Sequence, residues 1–130
     1  MKILSIEDDA LNRRVVHDML MVAGVAMDEA DCAETGLRMI DATLYDVILM
    51  DLRMPGMDGL EAISLIRRRP DAKSRLPIII ITADAAENLR AICIAQGADE
   101  LLLKPVAMED LFDAIGQVIA TRSTGSTLLI

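Results

Sequence analysis

Two runs of four consecutive apolar residues, 47–50 and 78–81, limit the folds open to this chain more than any other feature. A strand that is apolar at every position is buried on both faces, as central strands are in parallel sheets covered by helices. Both runs are too short for a buried helix, which takes about 10 residues or more. We therefore predict an α/β fold in which these runs form the central strands.

Short apolar runs alternate with longer segments of helical period along the rest of the chain. With flanking residues included, strands are predicted at 2–6, 25–29, 46–50, 77–81 and 100–103. Early charged residues in the run at 25–29 favour a place at the sheet edge. Helices are predicted from Leu11 to the stop at Gly24, and at 33–43, 59–68, 86–96 and 108–121. This order is (βα)5, which is typical of a parallel sheet with helices on both faces.

The length of 130 residues allows one domain with a substantial core. We place that domain at 1–121 and predict that 122–130 is a short flexible tail without an effector domain. No apolar stretch reaches the roughly 20 residues that span a bilayer, and the first residues do not resemble a signal peptide. We therefore expect a cytoplasmic protein without membrane contact.

The charge pattern disfavours nucleic acid as a direct partner. A formal net charge of -8 repels phosphates, and a single Tyr and a single Phe leave little surface for base stacking. The basic cluster Arg67, Arg68 and Arg69 lies at a predicted helix end, where solvated cations are expected. Cys32 and Cys93 lack CxxC spacing and a nearby His cluster, so we expect neither a redox nor a metal site from them.

Polar residues follow four of the five predicted strands, at the point where each strand ends. They are Glu7, Asp8, Asp51, Thr82 and Lys104. In an open parallel sheet this edge holds the ligand site. Carboxylates about 4 Å apart repel by roughly 4 kcal/mol at an effective dielectric constant near 20, so a site that gathers them usually holds a cation. With no His or Cys nearby, the oxygen ligands indicate Mg²⁺, with Mn²⁺ also possible.

Four segments at these strand ends resemble the response-regulator receiver family: IEDD at 6–9, LMDLRMPGMDG at 49–59, ITA at 81–83 and LKP at 103–105. The resemblance covers residues 2 to about 121. It implies a flavodoxin-like, doubly wound (βα)5 sheet with strand order 2-1-3-4-5. It also implies a phosphoacceptor in a bacterial two-component or phosphorelay system, served by a histidine kinase or a histidine phosphotransfer protein.

The resemblance further implies roles for the acidic residues of the strand ends. Asp51 is the expected phosphoryl acceptor, and Asp8 and Asp51 are expected to ligate Mg²⁺ directly, together with the backbone carbonyl of Arg53. Glu7 is expected to hold a metal-bound water. Asp9 lies one place beyond the acidic pair of the family, so we expect it to cap the following helix instead.

The remaining implied roles concern the phosphoryl group and the switch. Thr82 and Lys104 are expected to contact phosphoryl oxygens, and Pro105 is expected to follow a cis peptide bond that helps to aim Lys104. Leu101 stands where the family usually has Tyr or Phe, an aromatic that moves with the Thr on phosphorylation. We therefore expect a weaker response on the face formed by the fourth helix, the fifth strand and the fifth helix.

Two side chains and one surface carry further expectations. Arg53 and Asp84 flank the phosphoacceptor position. Either they pair across it, which would shield an acyl phosphate from water, or they remain two solvated charges. The start of the first helix, near Asn12, resembles receivers that dock a four-helix bundle. This favours a relay partner that approaches near Asn12, Met54 and Pro105.

Two other classes of protein, an aspartyl phosphohydrolase and a flavin or nucleotide module, fit the residues at the strand ends less well than a receiver does. An aspartyl phosphohydrolase needs a second acid two residues after its nucleophile, and Arg53 stands there. A flavin or nucleotide module needs a phosphate loop after the first strand, where the acidic residues 7–9 would repel a phosphate. A receiver fragment of a hybrid histidine kinase and a non-catalytic pseudo-receiver scaffold stay open as alternatives. The sequence names neither a cognate kinase nor a downstream protein.

Overall fold

The computed structural model describes residues 1–128, with side chains described up to residue 121. Its centre is a sheet of five strands: β1 (Lys2–Ile6), β2 (Ala26–Ala30), β3 (Val47–Met50), β4 (Ile78–Thr82) and β5 (Glu100–Leu103). The strands are parallel and lie in the order β2-β1-β3-β4-β5. The predicted strand order is therefore confirmed, with β3 and β4 inside the sheet and β2 at its edge.

Five α-helices connect and follow the strands. They are α1 (Ala10–Val22), α2 (Ala33–Ala42), α3 (Gly59–Arg67), α4 (Leu89–Gln96) and α5 (Met108–Leu128), and a short 3₁₀ helix at Ala72–Arg75 precedes β4. None of the helices within residues 1–128 has both the length and the apolar composition that crossing a bilayer requires.

Two predicted helix ends are wrong. Helix α4 begins at Leu89 rather than at residue 86, because Asn88 has a left-handed backbone with φ 72° and the Ala86 N–H donates to the side chain of Asp84 at 2.9 Å. Helix α5 continues to Leu128 instead of ending at Thr121, since each residue added to an existing helix gains a hydrogen bond without a new nucleation cost. Of the expected tail 122–130, residues 129–130 lie outside the described part of the chain. The assignment of the domain to 1–121 stays a prediction.

Apolar side chains fill two core layers, one on each face of the sheet. The first layer joins the sheet to α2, α3 and α4, and the second joins it to α1 and α5. Along β3, Ile48 and Met50 enter the first layer while Val47 and Leu49 enter the second. This two-sided burial explains why the run at 47–50 has no polar position.

One basic side chain ties together the half of the sheet that contains β4 and β5. The Arg67 guanidinium donates to the carbonyls of Gly97, Ser74 and Leu76 at 2.9, 2.8 and 2.7 Å, and to Asp99 Oδ2 at 3.1 Å. The same Asp99 oxygen accepts from the Ile78 N–H at 2.8 Å. The side chains of Arg67 and Arg69 are each only 19% exposed, so the prediction of solvated cations is wrong for these two residues; Arg68 is exposed.

Candidate functional site

The three acidic residues predicted to share a site lie together at the carboxyl ends of β1 and β3. Glu7, Asp8 and Asp51 each offer a carboxylate oxygen within 4.8 Å of the others. The parallel ladder continues past the strands, with the Asp51 N–H donating to the carbonyl of Ile6 at 2.9 Å. Glu7 and Asp51 are buried, whereas Asp8 is exposed. The fold therefore brings two buried carboxylates and one exposed carboxylate to the same edge.

Lys104 enters the acidic cluster from the end of β5. Its Nζ lies 2.5 Å from Glu7 Oε1 and 3.5 Å from Asp51 Oδ1. The Lys104 N–H donates to the carbonyl of Thr82 at 2.8 Å, and the Lys104–Pro105 peptide bond is cis. These groups lie far apart in the sequence. The parallel strands β1, β3 and β5 end at one edge of the sheet, and from there the Lys104 side chain reaches both carboxylates.

Burial and neighbouring charges shift the pKa values of this cluster. Burial raises the pKa of Glu7 to about 7; the hydrogen bond from Lys104 opposes this rise, and the neighbouring Asp51 adds to it. Burial lowers the pKa of Lys104, but its contacts with Glu7 and Asp51 outweigh that effect and raise the pKa above its ordinary value. Because the neighbouring Asp51 disfavours the charged form of Glu7, a further cation bound at this cluster would favour that form.

Thr82 and Leu101, the two residues expected to act in a switch, lie on the neighbouring strands β4 and β5. Thr82 ends β4, is 1% exposed, and its hydroxyl oxygen accepts from the Asp84 N–H at 3.2 Å. Leu101 lies in β5 opposite Ile80 of β4 and packs, half-buried, against the first core layer. A short aliphatic side chain therefore lies where an aromatic would add volume.

A salt bridge joins the loop that follows β3 to the loop that follows β4. Arg53 Nη2 lies 2.6 Å from Asp84 Oδ2, so of the two alternatives these side chains form a pair rather than remain separate solvated charges. The hydrogen bond from Arg53 holds the pKa of Asp84 below its usual value. Asp9 is confirmed as a helix cap, because its side chain accepts from the Asn12 N–H at 3.0 Å.

Sequence reasoning missed two residues that shape the site. Arg13 in α1 donates to the carbonyl oxygens of Glu7 and Asp8, and a lone Arg on a helix gives no sign of a contact with a backbone carbonyl. Gly59 begins α3, and a Cβ there would lie 2.6 Å from the carbonyl oxygen of Asp51. In the sequence this glycine marks the start of a predicted helix and the end of a segment that resembles the receiver family, but neither pattern reveals its close approach to Asp51.

Gly59 lets α3 begin directly against the end of β3. Its N–H donates to the carbonyl of Leu52 at 2.9 Å, and a Cβ would also meet the Leu52 Cα at 3.0 Å. Both atoms belong to the backbone, which has little room to yield. We therefore expect Gly59→Ala to displace the segment that carries Asp51.

The expected loss for Gly59→Ala is about 1 to 3 kcal/mol of unfolding free energy, because overpacking forces the backbone to shift. Urea unfolding measures it. Gly116→Ala is the matched control: Gly116 is exposed in α5 with nothing within 4 Å of a new Cβ, so alanine should stabilise the helix by about 0.5 to 1 kcal/mol. Equal effects of the two substitutions would mean that the close approach at Gly59 carries no energetic cost.

Comparison with known proteins identifies the family. The model of the response regulator receiver domain matches residues 3–116. The chain belongs to this receiver family. Its sheet order and helices are those of the flavodoxin-like receiver fold, so the expected fold class is confirmed.

Relatives of this receiver domain include much longer signalling proteins. It is 39% identical over 114 residues to the hybrid signal transduction histidine kinase G of Dictyostelium discoideum; the alignment covers 85% of this chain and 3% of that protein. It is 32% identical over 133 residues to the response regulator protein FleR of Pseudomonas aeruginosa; that alignment covers 98% of this chain and 28% of FleR. The receiver domain therefore spans less than a third of either of these curated relatives.

Among solved structures, one neighbour is informative about a metal. It is the receiver domain of a sensor histidine kinase of Pseudomonas aeruginosa PAO1 with a magnesium ion coordinated in the active site cleft. That structure superimposes with a TM-score of 0.83 at 32% identity and covers 92% of this chain and 97% of that chain. Receiver domains bind Mg²⁺ at an acidic site and interact with histidine kinases or phosphotransfer proteins.

Proposed function

We propose that this receiver domain accepts a phosphoryl group on Asp51 from a histidine kinase or a histidine phosphotransfer protein. One observation carries the proposal: buried Asp51 ends a central strand with Lys104 Nζ 3.5 Å from its Oδ1 and with oxygens of Glu7 and Asp8 within 4.8 Å. A buried carboxylate between an ammonium group and a pair of acids suits phosphoryl transfer, which depends mainly on positioning and electrostatic stabilisation.

The donor set fits Mg²⁺. The cluster offers carboxylate oxygens alone, and two carboxylates share one ammonium group in the described structure. We propose that Asp8, Asp51 and the backbone carbonyl of Arg53 hold the ion, with Glu7 holding one of its waters. The bound ion would supply positive charge that offsets the charge of the transferring oxygens. Mn²⁺ has similar ligand preferences and is proposed as a substitute.

The other side chains of the site act on the phosphoryl group. Lys104 already contacts two carboxylates, so its ammonium group can exchange Glu7 for a phosphoryl oxygen without leaving the cluster. The Thr82 hydroxyl is proposed to donate to another phosphoryl oxygen. The Arg53–Asp84 pair lies over the same loops and is proposed to shield the acyl phosphate from water.

The direct test is phosphorylation by a small phosphodonor such as acetyl phosphate, followed by mass spectrometry of the intact protein. We expect one added phosphoryl group in the presence of Mg²⁺ and none when a chelator is present. Phosphorylation at the same rate without a divalent cation would contradict the proposed metal site. Absence of any phosphorylated protein, from this donor and from phosphorylated histidine proteins alike, would contradict the proposed function.

Mg²⁺ should also stabilise the unphosphorylated domain, because it offsets the repulsion between Glu7, Asp8 and Asp51. At 100 times its Kd the ion adds about 2.7 kcal/mol to the free energy of unfolding. A thermal melt in millimolar Mg²⁺ measures the effect as a rise in Tm. Asp8→Ala should remove most of this rise, while Asp31→Ala, a change at an exposed acid outside the cluster, should keep it.

The partner is proposed to approach the carboxyl ends of β3 and β5, where Asp51 and Lys104 lie, and the start of α1. Leu11 is 73% exposed and Val15 is 42% exposed on α1. Val15 also lines a cavity of about 100 Å³, together with Asn12 and Pro105. An apolar partner surface such as a histidine-bearing helical bundle would cover these side chains. Met54, predicted to lie near the partner, is buried in the first core layer and offers little surface there. We propose a relay or switch role in the cytoplasm of a bacterium, within a single-domain protein or a hybrid kinase, with an unidentified downstream protein.

Leu101 makes the relay role testable. If the missing aromatic weakens the link to the α4-β5-α5 face, beryllofluoride, a phosphoryl mimic, should slow hydrogen exchange in the loops after β3, β4 and β5. Helix α4 should change little. Exchange in α4 that changes as much as exchange at these loops would show that Leu101 transmits the signal as well as an aromatic does. Leu101→Tyr is the companion variant, and it should increase the change in α4.

A further inference from the structure

Arg13 lies in the first part of α1, and its side chain reaches back to the loop that follows β1. The guanidinium Nη1 donates to the carbonyl oxygen of Glu7 at 2.8 Å and approaches the carbonyl oxygen of Asp8 at 3.3 Å. The side chain of Arg13 is only 22% exposed. One donor nitrogen therefore contacts the backbone of both acidic residues that precede the helix.

The same guanidinium is held from a second direction. Arg13 Nε lies 3.8 Å from Glu29 Oε1 on β2, and the next residue, Ala30, accepts a hydrogen bond from the Glu7 N–H at 3.0 Å. Arg13 thus connects helix α1, the loop after β1 and the end of β2. The loop is fixed through its main chain on both sides.

We propose that Arg13 is a positioning residue that holds the main chain of Glu7 and Asp8 in the geometry needed for cation binding. Because the guanidinium contacts the carbonyl oxygens, the carboxylate of Glu7 stays available to Lys104 and that of Asp8 stays available to a metal ion. This inference rests on the metal site of the proposed function. It adds a residue that lies outside the four segments on which the family resemblance rests.

The sign of the effect separates positioning from simple electrostatics. Arg13 carries a positive charge close to the acidic cluster, so its removal should raise the affinity for Mg²⁺ if charge alone matters. If positioning dominates, its removal should lower that affinity, because a freed loop must be ordered when the ion binds. Mutating a residue that orients a metal ligand typically weakens metal binding by about tenfold or more.

The experiment measures the Kd of Mg²⁺ by isothermal titration for wild type, Arg13→Ala and Arg14→Ala. Arg14 is the matched control, since it is the next residue on α1 and pairs with the exposed Asp18 at 3.0 Å without contacting the loop. We expect roughly tenfold weaker binding for Arg13→Ala. Arg14→Ala should bind as wild type does or slightly more tightly. An unchanged or higher affinity in Arg13→Ala would overturn the proposal.

Arg13→Lys serves as a second variant in case Arg13→Ala folds poorly. It keeps the charge but replaces the planar guanidinium with a single ammonium group, so we expect an affinity between those of wild type and Arg13→Ala. An affinity as low as that of Arg13→Ala also supports positioning, because the charge is retained. Binding at least as tight as wild type in both Arg13 variants would leave the residue no role in the site.

Hydrogen exchange without metal gives a second readout that does not depend on the proposed function. The amides of Asp8, Asp9 and Ala10 should exchange several-fold faster in Arg13→Ala than in wild type or Arg14→Ala. Unchanged exchange there would overturn the positioning role even if Mg²⁺ binds. If wild type binds no Mg²⁺ or takes up no phosphoryl group, the proposed function fails, while the exchange rates still decide whether Arg13 orders the loop.

Discussion

Asp51→Asn should abolish phosphorylation by a small phosphodonor in Mg²⁺. Asparagine has nearly the same shape as aspartate, but its amide oxygen does not attack a phosphorus centre. Asp51 lies within reach of Lys104, Glu7 and Asp8, so no other carboxylate of this cluster occupies the same position at the end of a central strand. Mass spectrometry of the intact variant should show unmodified protein alone.

The fold of the Asp51→Asn variant should survive. Loss of one carboxylate relieves repulsion in the cluster, and Lys104 keeps its 2.5 Å contact with Glu7. The free energy of unfolding should therefore equal or exceed that of wild type. Asp9→Asn is the matched control, because Asp9 caps α1 at the same edge and asparagine is an equally good helix cap. Phosphorylated Asp51→Asn, or an unmodified Asp9→Asn, would refute the assignment of the acceptor.

Arg67→Ala should cost about 3 kcal/mol of unfolding free energy, a large part of the 5 to 15 kcal/mol typical of such domains. The substitution removes the donors to the carbonyls of Gly97, Ser74 and Leu76, and it removes a contact of Asp99 with a half-buried cation. Unsatisfied groups of this kind each cost about 1 to 3 kcal/mol when they stay buried, and water that enters the gap reduces the loss. Urea unfolding followed by circular dichroism measures it.

Arg68→Ala is the control for Arg67. Arg68 is the next residue and is exposed, and its side chain donates a hydrogen bond of 3.3 Å to the carbonyl of Ser64. Its loss should change the free energy of unfolding by no more than about 0.5 kcal/mol. Arg67→Lys should also destabilise, because a single ammonium group cannot reach the same set of acceptors. A change below about 1 kcal/mol for Arg67→Ala would mean that solvent replaces these bonds without cost.

The parts of the structure that follow from local patterns were predictable. Runs of consecutive apolar residues predicted β3 and β4. Because parallel strands end at one edge of the sheet, the sequence also predicted that Glu7, Asp51 and Lys104 lie close together. The strand order itself came from the family resemblance, because local pattern does not say which strands are neighbours. The capping role of Asp9 also followed from residue type and position, whereas the sequence left the Arg53–Asp84 pair as one of two alternatives.

The parts that depend on tertiary contacts were not predictable. Arg67 was predicted to be a solvated cation at a helix end. Its carbonyl acceptors lie 7 to 30 residues away along the chain, so no local pattern reveals them. Arg13 and Gly59 act through backbone atoms, which carry no residue-specific pattern. The start of α4 depended on a left-handed Asn88 that helical spacing alone does not reveal.

The contact between Lys104 and Glu7 has a consequence for how this domain tolerates chelating agents. A zinc finger unfolds when its metal is removed, because the metal supplies most of its folding energy. Here an ammonium group of the chain itself lies 2.5 Å from Glu7 and 3.5 Å from Asp51, so the acidic edge keeps a counter-ion that no chelator extracts. Salt screens such a half-buried pair only weakly. The domain should therefore stay folded through purification in EDTA and regain cation binding on simple dialysis, without a refolding step.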